Sequence, residues 1–172
     1  ERVGVGISDG GGGFSSVATY FSGPEPTAVA VADMNGDERL DVVVTNSNRG
    51  FAGGSVAVLL GDGTGALSAP ITYAINNAGA VTTGMFTGDD VPDVAVVNGM
   101  NLTILSNDGT GNLSQASTVA VNPPGATRLA SIAAADFDQD GKFDIAIVSY
   151  SHVFGNNTSL TTYRGNGDGT LG

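Results

Sequence analysis

The chain has 172 residues, with 17 aspartates and glutamates against 6 lysines and arginines, and a formal net charge of −11 at pH 7. This excess of negative charge opposes binding to nucleic acid and to anionic membrane surfaces. The chain has no cysteine, which excludes a disulfide framework, and no apolar run is long enough for insertion into a membrane.

Short strands follow one another along the chain, marked by β-branched residues and by alternating or continuous apolar runs. Val3–Ile7 comes first and precedes three repeats of four strands. The predicted strands are 16–21, 27–32, 41–46 and 55–60 in the first repeat, 70–74, 80–86, 93–98 and 101–106 in the second, and 117–121, 129–135, 144–149 and 159–164 in the third. Glycines and β-branched residues leave no room for a helix, so we expect an all-β fold.

Two acidic nonapeptides lie between predicted strands. They are 33–41 (DMNGDERLD) and 136–144 (DFDQDGKFD), and both carry side-chain oxygens at positions 1, 3, 5 and 9. Ca²⁺ prefers six to eight oxygen ligands in flexible geometry, which such loops supply. An EF-hand loop has twelve residues, ends on glutamate and joins helices. Here position 12 is apolar and both flanks are strand-like, so we predict calcium loops within β-hairpins, with acidic, solvated turns as the alternative.

A third copy of this loop is degenerate. Its closing residue, Asp93, lies 52 residues after Asp41 and 51 before Asp144, a period typical of repeat architectures. Met85 stands at its first position and Thr87 at its third. Because Asp89 and Asp93 are the strong ligands that remain, we expect a weak or lost metal site.

Glycine-rich segments recur with the same period. Three of them, 61–67, 107–113 and 166–171, are similar to one another, and 9–14 is a looser copy. Asp-Gly and Asn-Gly pairs mark tight turns between strands. A phosphate-binding loop would need a following Lys-Ser or Lys-Thr and a helix, so we interpret these segments as turns.

Four antiparallel strands in about 50 residues make one β-propeller blade. The second and third strands of each repeat are apolar on nearly every residue, as expected for blades with neighbours on both sides. The sequence therefore predicts a single domain over 1–172, with repeats at about 14–67, 67–113 and 113–171.

The repeat unit resembles a known family. The stretches 28–46 (AVAVADMNGDERLDVVVTN) and 58–70 (VLLGDGTGALSAP) look like the FG-GAP or VCBS-type repeat of integrin-α-like β-propellers. The resemblance implies that the loop between the second and third strands of a blade binds Ca²⁺ through side chains at positions 1, 3, 5 and 9 and the carbonyl at 7. The implied ligands are Asp33, Asn35, Asp37, the Arg39 carbonyl and Asp41, then Asp136, Asp138, Asp140, the Lys142 carbonyl and Asp144.

Three blades and the single strand Val3–Ile7 do not close a ring, since closed propellers have four to eight blades. The terminal blades would expose apolar faces that a monomer rarely tolerates. We therefore expect a partial propeller that is completed by self-association or by further blades of the same polypeptide.

Calcium loops of this kind favour a secreted or cell-surface protein that recognises a protein or a glycan. The alternative is a lectin-like or scaffold portion of a polysaccharide-degrading enzyme. Few residues support catalysis, because His152 is the single histidine and we interpret it as incidental. The four tyrosines, Tyr20, Tyr73, Tyr150 and Tyr163, are expected to pack within or between blades. The connections 48–54 and 151–157 are the best candidates for ligand contact.

Overall fold

The computed structural model describes residues 1–47, 53–121, 126, 128–151 and 158–172. These residues form thirteen β-strands and no α-helix, and hence no helix that would cross a membrane. The strands are β1 Arg2–Ser8, β2 Phe14–Phe21, β3 Pro26–Ala32, β4 Asp41–Asn46, β5 Ser55–Leu59, β6 Ile71–Ala74, β7 Ala78–Gly84, β8 Asp93–Asn98, β9 Asn101–Asn107, β10 Leu113–Ala120, β11 Arg128–Ala135, β12 Asp144–Tyr150 and β13 Thr158–Tyr163. The all-β prediction is confirmed, and the predicted bounds differ by at most two residues except at the start of β10.

The strands form four antiparallel sheets, each built from consecutive strands. Sheet 1 is β1-β2, sheet 2 is β3-β4-β5-β6, sheet 3 is β7-β8-β9-β10 and sheet 4 is β11-β12-β13. Sheets 2 and 3 have the four strands expected of a propeller blade. The glycine turns 61–67 and 107–113 join the third strand of a sheet to the fourth, and positive φ angles of 79° at Gly63 and 95° at Gly65 confirm the tight turn in the first of them.

The sheets are offset by one strand from the predicted grouping. The grouping placed β2 in one blade with β3, β4 and β5, but β2 pairs with β1, and β3 begins sheet 2. The ladder breaks between β2 and β3, where Gly23 and Glu25 have φ angles of 123° and 48° that a strand cannot contain. The acidic loops consequently join first to second strands, not second to third.

The core lies between successive sheets. Side chains of β4 alternate, with Val42 and Val44 packing toward sheet 1 and Val43 toward sheet 3. Leu102 and Ile145 belong to the cluster between sheets 3 and 4. Burial on both faces of the predicted third strands is therefore confirmed in β4, where all six residues are buried.

Burial on both faces is wrong for β3. Val29 and Val31 are 57% and 56% exposed, because the hydrophobic cluster between sheets 1 and 2 includes residues of β4 and β5 and none of β3. The terminal sheets also have open outer faces. Val17 is exposed on sheet 1, and Val148 and Leu160, which pair across β12 and β13, are exposed on sheet 4.

The first strands of sheets 2, 3 and 4 lie side by side. β7 contacts both β3 and β11, and the Thr45 hydroxyl donates a hydrogen bond of 2.6 Å to the Gly79 carbonyl across sheets 2 and 3. A groove of about 960 Å³ runs over the beginnings of these strands and is lined by Thr27, Asn77, Arg128 and Tyr150 among others. The acidic loops follow the opposite ends of the same strands, so groove and loops are on opposite sides of the molecule.

Candidate metal centre

The acidic loops share a backbone shape. We name them loop 1 (33–41), loop 2 (85–93) and loop 3 (136–144); they join β3 to β4, β7 to β8 and β11 to β12. Positions 4 and 6 have positive φ in loops 1 and 3, at 73° for Gly36 and 65° for Glu38, and at 61° for Gln139 and 86° for Gly141. Each loop thus has one glycine in the left-handed region and one residue that adopts it with strain. Loop 2 keeps the first of these bends at Gly88, with φ 78°.

The first aspartate organises loop 1 from within. Asp33 Oδ1 accepts hydrogen bonds from the N–H groups of Gly36 at 2.7 Å, Asp37 at 3.1 Å and Asn35 at 3.3 Å, and Oδ2 accepts from Glu38 at 2.7 Å. Partial desolvation acts to raise the pKa of Asp33, but these four N–H groups outweigh it and hold the pKa below its usual value. The loop is therefore shaped to keep this carboxylate ionised.

Asp136 has the corresponding role in loop 3. Its Oδ1 accepts from the Asp140 N–H at 3.1 Å and its Oδ2 from the Gly141 N–H at 2.9 Å. Asp138 Oδ1 accepts from the same Asp140 N–H at 3.2 Å. Backbone donors thus direct two carboxylates toward the inside of the turn.

The closing aspartates Asp41, Asp93 and Asp144 are buried and connect two segments of backbone. In each repeat Oδ2 accepts from the N–H of the second loop residue. Oδ1 accepts from an N–H at the start of the following glycine turn, or directly before it in the third repeat. The Oδ2 distances are 2.7 Å from Met34, 2.9 Å from Phe86 and 3.0 Å from Phe137, and the Oδ1 distances are 2.7 Å from Gly61, 3.0 Å from Asn107 and 2.9 Å from Gly165. The sequence predicted Asp41 and Asp144 as ligands. It did not predict this structural role, although the shared period of loops and turns is a signal for it.

Loop 3 gathers carboxylates. Asp136, Asp138 and Asp144 each have an oxygen within 4.8 Å of the others. No other group of three or more acidic, histidine or cysteine side chains lies this close in the described part of the chain. Loop 1, in which Asn35 replaces one aspartate, does not bring its three aspartates together in this way.

Basic side chains contact the fifth position of loops 1 and 3. Arg164 Nη2 lies 2.9 Å from both Asp138 Oδ2 and Asp140 Oδ2, and Lys142 Nζ is 3.9 Å from Asp140. Partial desolvation acts to raise the pKa of Asp140, but the Lys142 N–H and the Arg164 and Lys142 charges hold it below its usual value. The hydrogen bond to Asp140 and the neighbouring carboxylates raise the pKa of Arg164.

In loop 1, Arg39 Nη2 lies 2.7 Å from Asp37 Oδ2, which also accepts from the Asn35 amide at 3.0 Å. The Asn35 amide and the Arg39 N–H and guanidinium hold the pKa of Asp37 below its usual value, against partial desolvation. The sequence predicted a role for Arg39 and Lys142 through their carbonyls alone, and it did not predict Arg164. The available signal was a basic residue directly after β13 and two positions before the glycine turn 166–171.

In loop 2, carboxylate oxygens accept hydrogen bonds from other residues of the same loop. Asp93 Oδ2 also accepts from the Thr87 hydroxyl at 2.8 Å, and Asp89 Oδ1 accepts from the Val91 N–H at 3.2 Å. Met85 places an exposed thioether at the first position. That this loop binds metal weakly or not at all stays a prediction.

The remaining candidate residues lie elsewhere. Tyr20, Tyr73 and Tyr163 pack against the three core clusters, as expected for blade packing, whereas Tyr150 lines the groove. His152 and most of the connections 48–54 and 151–157 lie outside the described residues.

The donor set of loop 3 fits a hard divalent cation. All of its candidate ligands are oxygens, three carboxylates already converge, and Ca²⁺ tolerates the irregular geometry of such a loop. Histidine and cysteine, the usual ligands of structural zinc sites, are absent from the nonapeptide.

In the comparison with known proteins, the model of one protein family matches this chain. The model of the FG-GAP-like repeat matches residues 33–96 and 86–147, which together span all three acidic loops and more than half of the chain. No curated protein matches the chain. With all-β antiparallel sheets that fit a propeller-like fold, the chain belongs to the FG-GAP-like repeat family.

Proposed function

We propose that this chain is an extracellular calcium-binding β-propeller module that serves adhesion or ligand recognition. The observation that carries the calcium part is the convergence of Asp136, Asp138 and Asp144 in a loop of an FG-GAP-like repeat. Because Ca²⁺ is abundant outside the cell, the proposal includes secretion or display at the cell surface.

Calcium would be held in loop 3 by Asp136, Asp138, Asp140 and Asp144 with the Lys142 carbonyl. In loop 1 it would be held by Asp33, Asn35, Asp37 and Asp41 with the Arg39 carbonyl. The ion would supply positive charge that neutralises the clustered carboxylates. The chain's own part is to fix the hairpin, since Asp41 and Asp144 already connect loop and turn.

The groove across β3, β7 and β11 supports a recognition role. It combines polar groups of Thr27, Asn77 and Arg128 with the aromatic ring of Tyr150, a composition suited to a glycan or a polar protein segment. Because the metal loops follow the far ends of these strands, calcium in them would stabilise the scaffold and not contact the ligand. Tyr150 is the observation that favours the lectin-like version.

The calcium part is tested by thermal unfolding in EDTA and in millimolar Ca²⁺. A ligand that binds only the folded state stabilises it by about 2.7 kcal/mol at one hundred times its Kd, so the Tm should rise with Ca²⁺. Asp138→Ala should remove much of the rise, whereas Asp89→Ala in loop 2 is the matched control and should leave it intact. An identical Tm in EDTA and Ca²⁺ contradicts the proposal.

The recognition part is tested on a glycan array with the wild-type chain and Arg128→Ala. Binding that is lost in this variant but kept in Asp138→Ala would assign recognition to the groove. Binding that depends on Asp138 instead would place the ligand at the metal loop and contradict the separation of the two sites.

A further inference from the structure

Arg164 connects two aspartates of loop 3 from outside the loop. A single guanidinium nitrogen lies 2.9 Å from Asp138 Oδ2 and 2.9 Å from Asp140 Oδ2. Both aspartates are among the residues that would hold calcium under the proposed function. Two carboxylates that contact the same nitrogen are close enough to repel each other, and the positive charge between them offsets this repulsion.

The candidate ligands of loop 3 explain why it has such a partner. They include four carboxylates, whereas those of loop 1 include three and the neutral amide of Asn35. The residue before the N–H donor to Oδ1 of the closing aspartate is Leu60 in the first repeat, Ser106 in the second and Arg164 in the third. The loop whose candidate side-chain ligands are all carboxylates is thus the one with a basic residue at this position, directly after β13.

We infer that Arg164 is the counter-cation of calcium-free loop 3 and competes with calcium for Asp138 and Asp140. The inference rests on the proposed function. The guanidinium occupies one oxygen of each of these two candidate ligands, so a calcium ion that takes these oxygens must displace Arg164. The side chain is 61% exposed and can turn into solvent without disturbing the core. Arg164 therefore lowers the calcium affinity of loop 3 and keeps the loop ordered when calcium is scarce.

The test is a calcium titration of the whole chain followed by NMR, with the amide signals of Gly36 and Gly141 as reporters of loops 1 and 3. Arg164→Leu, which copies Leu60 of the first repeat, should lower the midpoint for Gly141 about fivefold, the factor expected for loss of an exposed ion pair. The midpoint for Gly36 should not change. Arg164→Gln, which keeps a polar side chain, should act in the same direction and replaces the first variant if that does not fold.

Arg128→Leu is the charge-matched control. Arg128 begins the eight-residue β11, about 23 Å from its loop 3 end at 3.3 Å per residue, well beyond the Debye length of about 8 Å at physiological salt. A shift of the Gly141 midpoint equal to that of Arg164→Leu would attribute the effect to net charge and overturn the inference.

Two further outcomes separate the inference from the proposed function. If Gly141 shifts with calcium at the same midpoint in wild type and Arg164→Leu, calcium binding stands and competition is overturned. If neither reporter shifts at millimolar calcium in either protein, the proposed function fails and the competition fails with it. In EDTA and low salt, Arg164→Leu should also lower the Tm, and this difference should vanish in 1 M NaCl; equal Tm values at low salt overturn the counter-cation role.

Discussion

Asp93 gives the clearest view of what the closing aspartates do. It is buried, accepts hydrogen bonds from the Phe86 and Asn107 backbone N–H groups, and belongs to the loop with the poorest set of metal ligands. A carboxylate with both oxygens bound to backbone is a structural connector between a hairpin loop and the turn that follows the next strand. Metal binding is not required for this role.

Asp93→Ala should therefore destabilise the protein even in EDTA. Leaving a buried donor unpaired costs about 1–3 kcal/mol, and at least two are released, so we expect a loss of about 2 kcal/mol or more. Asp89→Ala is the control, because Asp89 is exposed and accepts one hydrogen bond, from Val91. Urea unfolding measures both, and equal losses of stability would refute the connector role.

At the scale of elements, the hairpins with their loops are the units that sequence predicts best. Period, strand bounds and loop positions follow from local alternation and from Asp and Gly spacing. The assignment of strands to sheets did not follow, because it depends on backbone breaks such as Gly23 and Glu25. Arg164 was missed because its contact with Asp140 spans 24 residues of chain.

The left-handed backbone conformation of Gln139 and Gly141 in loop 3 leads to a prediction about stability. Gly141 has open space around it and φ 86°, so Gly141→Ala should cost about 1–2 kcal/mol through conformation alone. Gln139 adopts φ 61° with a side chain, so Gln139→Gly should be neutral or stabilising by about 0.5 kcal/mol after the entropy of glycine is subtracted. Urea midpoints in EDTA measure both changes. A destabilised Gln139→Gly would contradict this backbone shape.

At the scale of the whole molecule, the outer faces of sheets 1 and 4 expose apolar side chains to solvent. The three core clusters repeat one interface from sheet 1 to sheet 4, and the outer face of sheet 4 carries Leu160 at 68% exposure beside Val148 at 41%. Such a face matches the interior faces of sheets 2 and 3 in chemistry. That self-association or further blades of the same polypeptide cover it remains our prediction.

The isolated chain should therefore associate with increasing concentration in light scattering. Leu160→Lys places a charge in the open face of sheet 4 and should shift the distribution toward monomer. Met85→Lys, at an exposed apolar position in loop 2 away from that face, should not. A wild-type chain that is monomeric at every concentration would exclude self-association and leave covering by further blades.

The connectors also bear on how such repeats diverge. Since Asp41, Asp93 and Asp144 join the same two backbone points in every repeat, the residues between the anchors can vary without loss of the hairpin. If loops 1 and 3 bind calcium as proposed, a repeat with the composition of loop 2 can lose its ion and keep its hairpin, and the nonapeptide of a sister repeat can be grafted between the same anchors. The need for calcium would then be set for each blade separately, while the architecture stays unchanged.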